Sequence, residues 1–222
     1  MLNLHHLNNS RSFRILWLLE ELELDYKLTS YERTKSYLAP ESLKKVHPLG
    51  HTPVLEVDGR ALAESGFIIE YLLRHYDTDH QFKPTDDNET AWENYTFWLH
   101  FAEASAMPPL VMRLVFGKVV ERSPMLIKPI SKGIRKQVED GMIDNNIMNN
   151  LNLMEQHLQN NHWFAGEAFS AADIQMYIVV AASNARAGMD RVRFANLLNW
   201  LKRCQERPAF KRAEEKGGTP KF

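Results

Sequence analysis

Two short stretches of this chain hold residue types able to bind and activate an anionic, peptide-like molecule. The first is LNNSRSFRILWLLEEL, where Ser10 stands between a strand-like run and an apolar helical pattern. A hydroxyl at that position caps the helix by default, for about 1 kcal/mol. The same placement can instead offer the hydroxyl, reinforced by the helix dipole, to an anion such as a thiolate. Ser12, two residues on, reads as facing solvent or capping the same helix. The second stretch is HTPVLEVDGRALAES, residues 51–65. Asp58-Gly59 between Val54–Val57 and Ala61–Ala63 is a two-residue hairpin signal, because Gly tolerates the positive φ of a primed turn. Pro53 cannot donate to a ladder and belongs at a strand's start or edge. Glu64 and Ser65 then fall at a helix N-terminus, where unpaired N–H groups and partial positive charge can hold a carboxylate. The alternative for this stretch is an ordinary hairpin leading into a capped helix.

Other familiar constellations are missing. The nine histidines are scattered without HExxH or paired-Cys spacing, so no metal site is expected. The sequence has no GxGxxG, Walker loop or GxSxG elbow. His5 and His6 read as strand or loop residues. The single cysteine, Cys204, excludes an internal disulfide framework and suits a reducing compartment. A net charge of −1 argues against nucleic acid as the main partner. The apolar content of 44% is that of a soluble protein, and no run approaches the roughly twenty apolar residues of a membrane span. The N-terminus has no basic region followed by an apolar one, so a cytoplasmic location and no membrane partner are expected.

The elements that must position these groups follow from periodicity. Leu2–Leu7 and Tyr26–Tyr31 read as strands. Ile15, Leu18, Leu19 and Leu22 keep helical spacing, which turns Arg14 and Glu21 outward. Pro40–Val46 reads as a short helix and residues 65–76 as a longer one, completing a β-α-β-α-β-β-α order and hence an α/β domain with a mixed four-stranded sheet. The polar text DTDHQFKPTDDN separates it from a second half without strand alternation. There, Trp92–Met107 reads as a long helix interrupted by Pro108-Pro109, with a further helical stretch to Phe116. Ile147, Leu151, Met154 and Leu158 mark another helix. Ser170-Ala171-Ala172-Asp173 forms a capping box before the Ile174, Tyr177, Ile178, Ala181 stripe, and Phe194–Arg207 makes a last helix before Pro208. The expected organisation is residues 1–78 as the α/β domain, 79–88 as linker and 89–222 as an all-α domain.

Ser10, Thr52-Pro53-Val54, Glu64-Ser65 and the capping box at 170–173 stand in the order and spacing of the cytosolic glutathione S-transferases, which the chain resembles over essentially its whole length. LNNSRSFR is similar to the serine-type loop of the theta and delta classes, with a serine four residues before an arginine, and the run SRSFRILWLLEEL resembles a bacterial and fungal subgroup near the theta class. The resemblance implies a thioredoxin-like N-terminal domain, an all-helical C-terminal domain and a cytoplasmic homodimer with a detoxifying role. It implies that Ser10 donates a hydrogen bond to the glutathione sulfur, favouring thiolate. Lowering a thiol pKa by about two units corresponds to about 2.7 kcal/mol. Pro53, cis in the family, would expose the Val54 backbone to the cysteinyl part of glutathione; Glu64 and Ser65 would hold the γ-glutamyl end, and His51 would stand where the family places Lys or Gln near the glycyl carboxylate. The thiolate would attack a hydrophobic electrophile, with Tyr95, Phe101, Met107 and Met112 as pocket candidates, together with His100 and Phe116. Glutathione is then a co-substrate, with no bound cofactor and no metal. Two other outcomes stay open: glutathione-dependent reduction of organic hydroperoxides, and a non-catalytic member binding a ligand or protein. Tyr31 is the other hydroxyl considered. The absence of a cysteine near residue 10 argues against disulfide-exchanging relatives.

Overall fold

A computed structural model describes residues 1–34 and 36–221; Phe222, the last residue of the expected helical domain, lies outside the described residues. The first part forms a four-stranded sheet from β1 (Leu2–Leu7), β2 (Tyr26–Tyr31), β3 (Val54–Val57) and β4 (Arg60–Ala63), in the order β2-β1-β3-β4. β1 runs parallel to β2 and antiparallel to β3, and β3 pairs antiparallel with β4. The sheet is therefore mixed, as in a thioredoxin-like fold. Asp58 and Gly59 both have positive φ, +49° and +82°, the geometry that a two-residue primed turn demands. The peptide Thr52–Pro53 is cis and delivers the chain to the start of β3.

Helix α1 (Ser12–Glu21) lies against this sheet, and α2 (Ser65–Tyr76) follows β4. The expected short helix at Pro40–Val46 is a 3-10 turn over Glu41–Lys45. Beyond residue 88 the chain is helical: α3 (Glu89–Phe101), α4 (Met107–Arg122), α5 (Lys128–Val138), α6 (Asp144–Asn160), α7 (Ala171–Ala187), α8 (Ala195–Glu206) and α9 (Pro208–Gly217).

Three expectations fail here, each for a reason of packing. Arg14 and Glu21 do not face water, because α1 is covered on both sides. The sheet takes one face, while α7 and α9 close over the other through Phe13 and Trp17, which meet Tyr177 and Phe210 at 5.0–6.2 Å between ring centroids. Every residue from Ser12 to Glu20 is buried. Cations of the helical half meet the carboxylates thus enclosed: Arg207 pairs with Glu21 at 2.5 Å, and Arg212 and Lys216 with Glu20 at 3.0 and 2.5 Å.

Pro108 and Pro109 do not stop the helix. A π-helical turn over Ala102–Ala106 joins α3 to α4, and the two prolines occupy the first turn of α4, where missing N–H groups are tolerated. Asn150 donates to the Ser105 carbonyl at 3.0 Å, the acceptor that Pro109 cannot serve. The last expected helix is not the last, since Pro208 opens α9 rather than ending the fold.

The capping box forms as expected. Ser170 accepts from the Ala172 amide, and fully buried Asp173 accepts from the Ser170 and Phe164 amides at 2.9 Å and from the Trp200 indole at 2.8 Å. The motif thus binds the start of α7 to α8 and to the loop before it.

Candidate active site

The loop from β1 into α1 brings Ser10 to the floor of a cleft of about 500 Å³ lying between the sheet and the helical half. Leu7, Asn9, Arg11, His51 and Thr52 form its floor, Arg33 and Tyr37 one rim, and Met107, Val111, Leu114, Ile178, Ala182 and Arg186 the opposite wall. The floor is polar and the far wall mostly apolar. Its lining holds three arginines and, among the described residues, no carboxylate. Of these, Arg11 is paired with Glu103, and Arg33 is held by main-chain carbonyls of Asn8, Asn9 and Tyr37, which leaves its charge and that of Arg186 uncompensated by a carboxylate in the lining. Burial lowers the pKa of Arg33 and of Arg186, but a guanidinium stays charged. The cleft is accordingly electropositive, suited to an anion.

Ser10 Oγ sits 2.7 Å from Ser12 Oγ and 2.9 Å from Thr52 Oγ1, and accepts from the Ser12 amide at 3.2 Å. Ser12 neither faces solvent nor serves α1 as a cap. It is buried, accepting from the Leu7 amide at 3.1 Å and lying 2.9 Å from His6 Nδ1. Burial lowers the pKa of His6.

A second cleft, of about 730 Å³, holds the other half of the expected constellation: Glu64, Ser65, Gly66, Phe67, Trp92, Glu103 and Gln175 are on its walls. Glu64 has φ +73°, a left-handed backbone that costs a non-glycine residue roughly 1–3 kcal/mol and is typically found where function holds it. Ser65 Oγ, buried, is approached by Arg14 Nη1 at 3.5 Å and Gln175 Nε2 at 3.3 Å. Arg14 is fully enclosed; its Nη1 meets Glu103 at 2.5 Å, while Nε and Nη2, with Gln175 Oε1, have no protein partner. Burial pushes the Glu103 carboxyl up, but Arg14 and Arg11 outweigh it and hold the pKa below the usual value.

The two clefts adjoin through one ion pair and one histidine–carboxylate contact that span the boundary. Arg11, from the first, reaches Glu103 of the second at 2.9 Å, and His51 Nε2 lies 3.9 Å from Glu64 Oε1. Both His51 and Glu64 are exposed, so their pair contributes little to stability.

The structure brings Ser10 and His51 together in one cleft and Glu64 and Ser65 in the next. It does not place Val54 in either. Val54 is fully buried in the sheet, with His5 and Ala63 as its register partners, whereas Thr52, on the other side of Pro53, lines the cleft. Of the apolar candidates only Met107 lines the Ser10 cleft. Phe101 is packed against Phe97 and Trp98, and Met112 rests partly buried against the core. Tyr95 is buried on the other cleft's side, its hydroxyl donating to Glu70 at 2.5 Å; burial and that carboxylate push its pKa up, so it is a poor thiol activator. Tyr31 lies off the cleft beside His5, at 2.8 Å from Nδ1. The sequence does not single out Tyr37, Glu103 or Gln175; it places His6 on a strand or loop, Arg14 outward on α1 and in the Ser10 motif, and Thr52 only as part of Thr52-Pro53-Val54. For Thr52 a signal was present, as the residue preceding the proline.

Cys204 is buried in α8, and burial raises its pKa, which removes it from thiol chemistry in the folded state. Among the described residues there is no cluster of three or more His, Cys, Asp or Glu able to hold a metal, and no helix long and apolar enough to cross a membrane.

Comparisons with known proteins agree with this architecture. The family models for the glutathione S-transferase N-terminal and C-terminal domains match residues 2–74 and 124–216. The chain is 36% identical to glutathione S-transferase 3 of Schizosaccharomyces pombe, covering 97% of this chain and 88% of that protein. It is 31% identical to glutathione S-transferase 1 of Saccharomyces cerevisiae, covering 97% and 95%. A crystal structure of a glutathione S-transferase from Actinobacillus pleuropneumoniae superposes with a TM-score of 0.78 at 29% identity, over 98% of this chain and 93% of that one. With both domain models matched and relatives similar over nearly the full length, the chain belongs to the glutathione S-transferase family, a family of transferases.

Proposed function

We propose that this chain ionises the thiol of glutathione at Ser10 and directs the thiolate onto a hydrophobic electrophile. One observation carries the reading: a serine hydroxyl at the N-terminal end of α1 lies in an electropositive cleft whose opposite wall is apolar. A thiolate gains from the charge and the hydroxyl, and an apolar substrate from the wall formed by Met107, Val111, Leu114 and Ile178. The γ-glutamyl end would rest at Ser65 and Glu64 beside Gln175, which lines the same cleft, with Arg14 enclosed behind Ser65. The cysteinyl backbone would lie against Thr52, and the glycyl carboxylate near His51. Residues 1–78 would act as the glutathione half, 79–88 as linker and 89–222 as the electrophile half. A second copy of the chain would cover exposed Phe67 and Trp92, giving a cytoplasmic homodimer.

The test is retention on immobilised glutathione together with conjugation of an activated aryl chloride. Ser10→Ala should lower turnover about a hundred-fold, the equivalent of two pKa units, while glutathione affinity stays within a few-fold. An unchanged rate would move the role to another hydroxyl, Thr52 and Tyr37 being those also in the cleft. Retention without turnover would favour the binding reading, and turnover confined to hydroperoxides the reductase reading.

A further inference from the structure

We propose that His6 takes up the thiol proton through Ser12 and Ser10, so that glutathione ionises with its counter-charge held inside the protein. This rests on Ser10 being the group that meets the sulfur. The direction of each hydrogen bond follows from the groups' donor capacity and the distances between them. His6 Nε2 lies 3.0 Å from the Gly217 carbonyl, which can only accept, so Nε2 carries the hydrogen. Burial keeps the resting ring neutral, and its Nδ1 is therefore a bare acceptor. Ser12 Oγ has two acceptors in reach, His6 Nδ1 at 2.9 Å and the Leu7 carbonyl at 3.3 Å, and gives its one proton to the nearer, the imidazole nitrogen that has no other donor. Having none left for Ser10 at 2.7 Å, Ser12 accepts from it. In the resting protein every donor thus points from the cleft toward His6, and the Ser10 proton faces away from any incoming sulfur.

A thiol arriving at Ser10 takes the place of the Thr52 hydroxyl as donor to Oγ. The S–H bond breaks and its proton bonds to Ser10 Oγ; the former Ser10 proton passes to Ser12 Oγ, and the former Ser12 proton to His6 Nδ1. The products are a thiolate, two intact hydroxyls and an imidazolium, with no proton lost to water. The chain of donors has now reversed. His6 donates to Ser12, Ser12 to Ser10 and Ser10 to the thiolate, which is the hydrogen bond that favours the charged sulfur.

Burial works against a cation at the far end of the path, and the Gly217 carbonyl works for one. Gly217 is the last residue of α9, so the carbonyl that meets His6 belongs to the negative end of that helix's dipole. Only a glycine permits the approach: a Cβ there would lie 3.0 Å from His6 Nε2 and 2.4 Å from Leu16 Cδ2. No charged side chain shifts His6, which is moved by burial and the Gly217 carbonyl alone. Neighbouring Lys216 pairs with Glu20, and His5, on the other face of β1, with Glu56 and Tyr31. Ser30 is the register partner of His6 on β2.

The experiment follows the proton. Histidine-15N-labelled protein is titrated with glutathione while the ultraviolet thiolate band and proton release to an indicator dye are recorded, with His6→Gln assigning the resonance. The expected result is protonation of His6 Nδ1 as the band grows, and release of fewer than one proton per thiolate. In His6→Gln and in Ser12→Ala the release should rise to one; a merely structural role would lower affinity or stability and leave that ratio unchanged. A His6 ring that stays neutral beside a fully formed thiolate, or a whole proton released by the unaltered protein, overturns the path. Ser10→Ala separates the two readings. A thiolate that persists in it removes the Ser10 assignment and the path together, whereas a lost thiolate alongside whole-proton release in the unaltered protein removes the His6 path alone.

Discussion

Replacing Glu103 with Gln tests whether a single carboxylate, held by α3's π-turn, keeps Arg14 tolerable inside the protein. Arg14 is fully buried, its Nη1 lies 2.5 Å from Glu103, and Nε and Nη2 have no protein partner. Removing one partner of a buried pair costs about 3–5 kcal/mol, because it leaves a charge enclosed and uncompensated. Glu103 is 32% exposed, and Gln keeps an oxygen for Arg14 and Arg11, so the loss should be about 2–3 kcal/mol, just below that range. For a chain of this size it corresponds to a fall in melting temperature of about 5–10 °C. The pH dependence gives a sharper check. The folded pKa of Glu103 is depressed by Arg14 and Arg11 against the opposing effect of burial, so its stabilisation is present above the unfolded value near 4.3 and lost as pH falls through the folded one. Urea unfolding at fixed protein concentration should therefore show the full gap between the two proteins at pH 7 and a shrinking gap below about pH 4. A gap under 1 kcal/mol at pH 7, or one that persists undiminished into acid, would refute the reasoning.

Asp173→Ala should cost about 3–5 kcal/mol in the same assay, since it strands the Phe164 and Ser170 amides and the Trp200 indole, each worth roughly 1–3 kcal/mol when left unsatisfied. A loss below 1 kcal/mol would mean that other groups or water take up those donors. Gly217→Ala should destabilise by about 1–3 kcal/mol through its contact with Leu16, whereas Gly133→Ala, in an open stretch of α5, should be neutral or stabilising by up to about 1 kcal/mol. Equal effects at the two glycines would contradict the close approach of α9 to α1. The Cys204 thiol should be inert to an aromatic disulfide reagent in the native protein and titrate fully in guanidinium; fast labelling of the folded chain would contradict its burial.

Much of this molecule can be read from its sequence because the relevant interactions are local. The turn at Asp58-Gly59 depends on two φ angles, the capping box at 170–173 on four consecutive residues, and the strands and helices of the first 76 residues on periodicity. Ser10 at the mouth of α1 and Ser65 at the start of α2 were likewise legible, since a helix N-terminus presents its free N–H groups whatever surrounds it. The surroundings of those hydroxyls depend on contacts between distant segments. Helical spacing sends Arg14 to solvent only if α1 has a wet face, and Ser65 and Glu103 meet it there while α9, nearly two hundred residues later, covers Phe13 and Trp17. Glu103 meets Arg14 because a π-turn redirects α3, and the cis peptide sets Thr52, not Val54, at the cleft. His6 looked like one more strand residue until Gly217 closed on its outer nitrogen. Sequence alone determined where the hydroxyls stand, through backbone geometry that a few neighbouring residues specify. Only the tertiary structure decided which way their protons point and which charges they feel, because both are set by groups that the folded chain, not the linear one, makes neighbours.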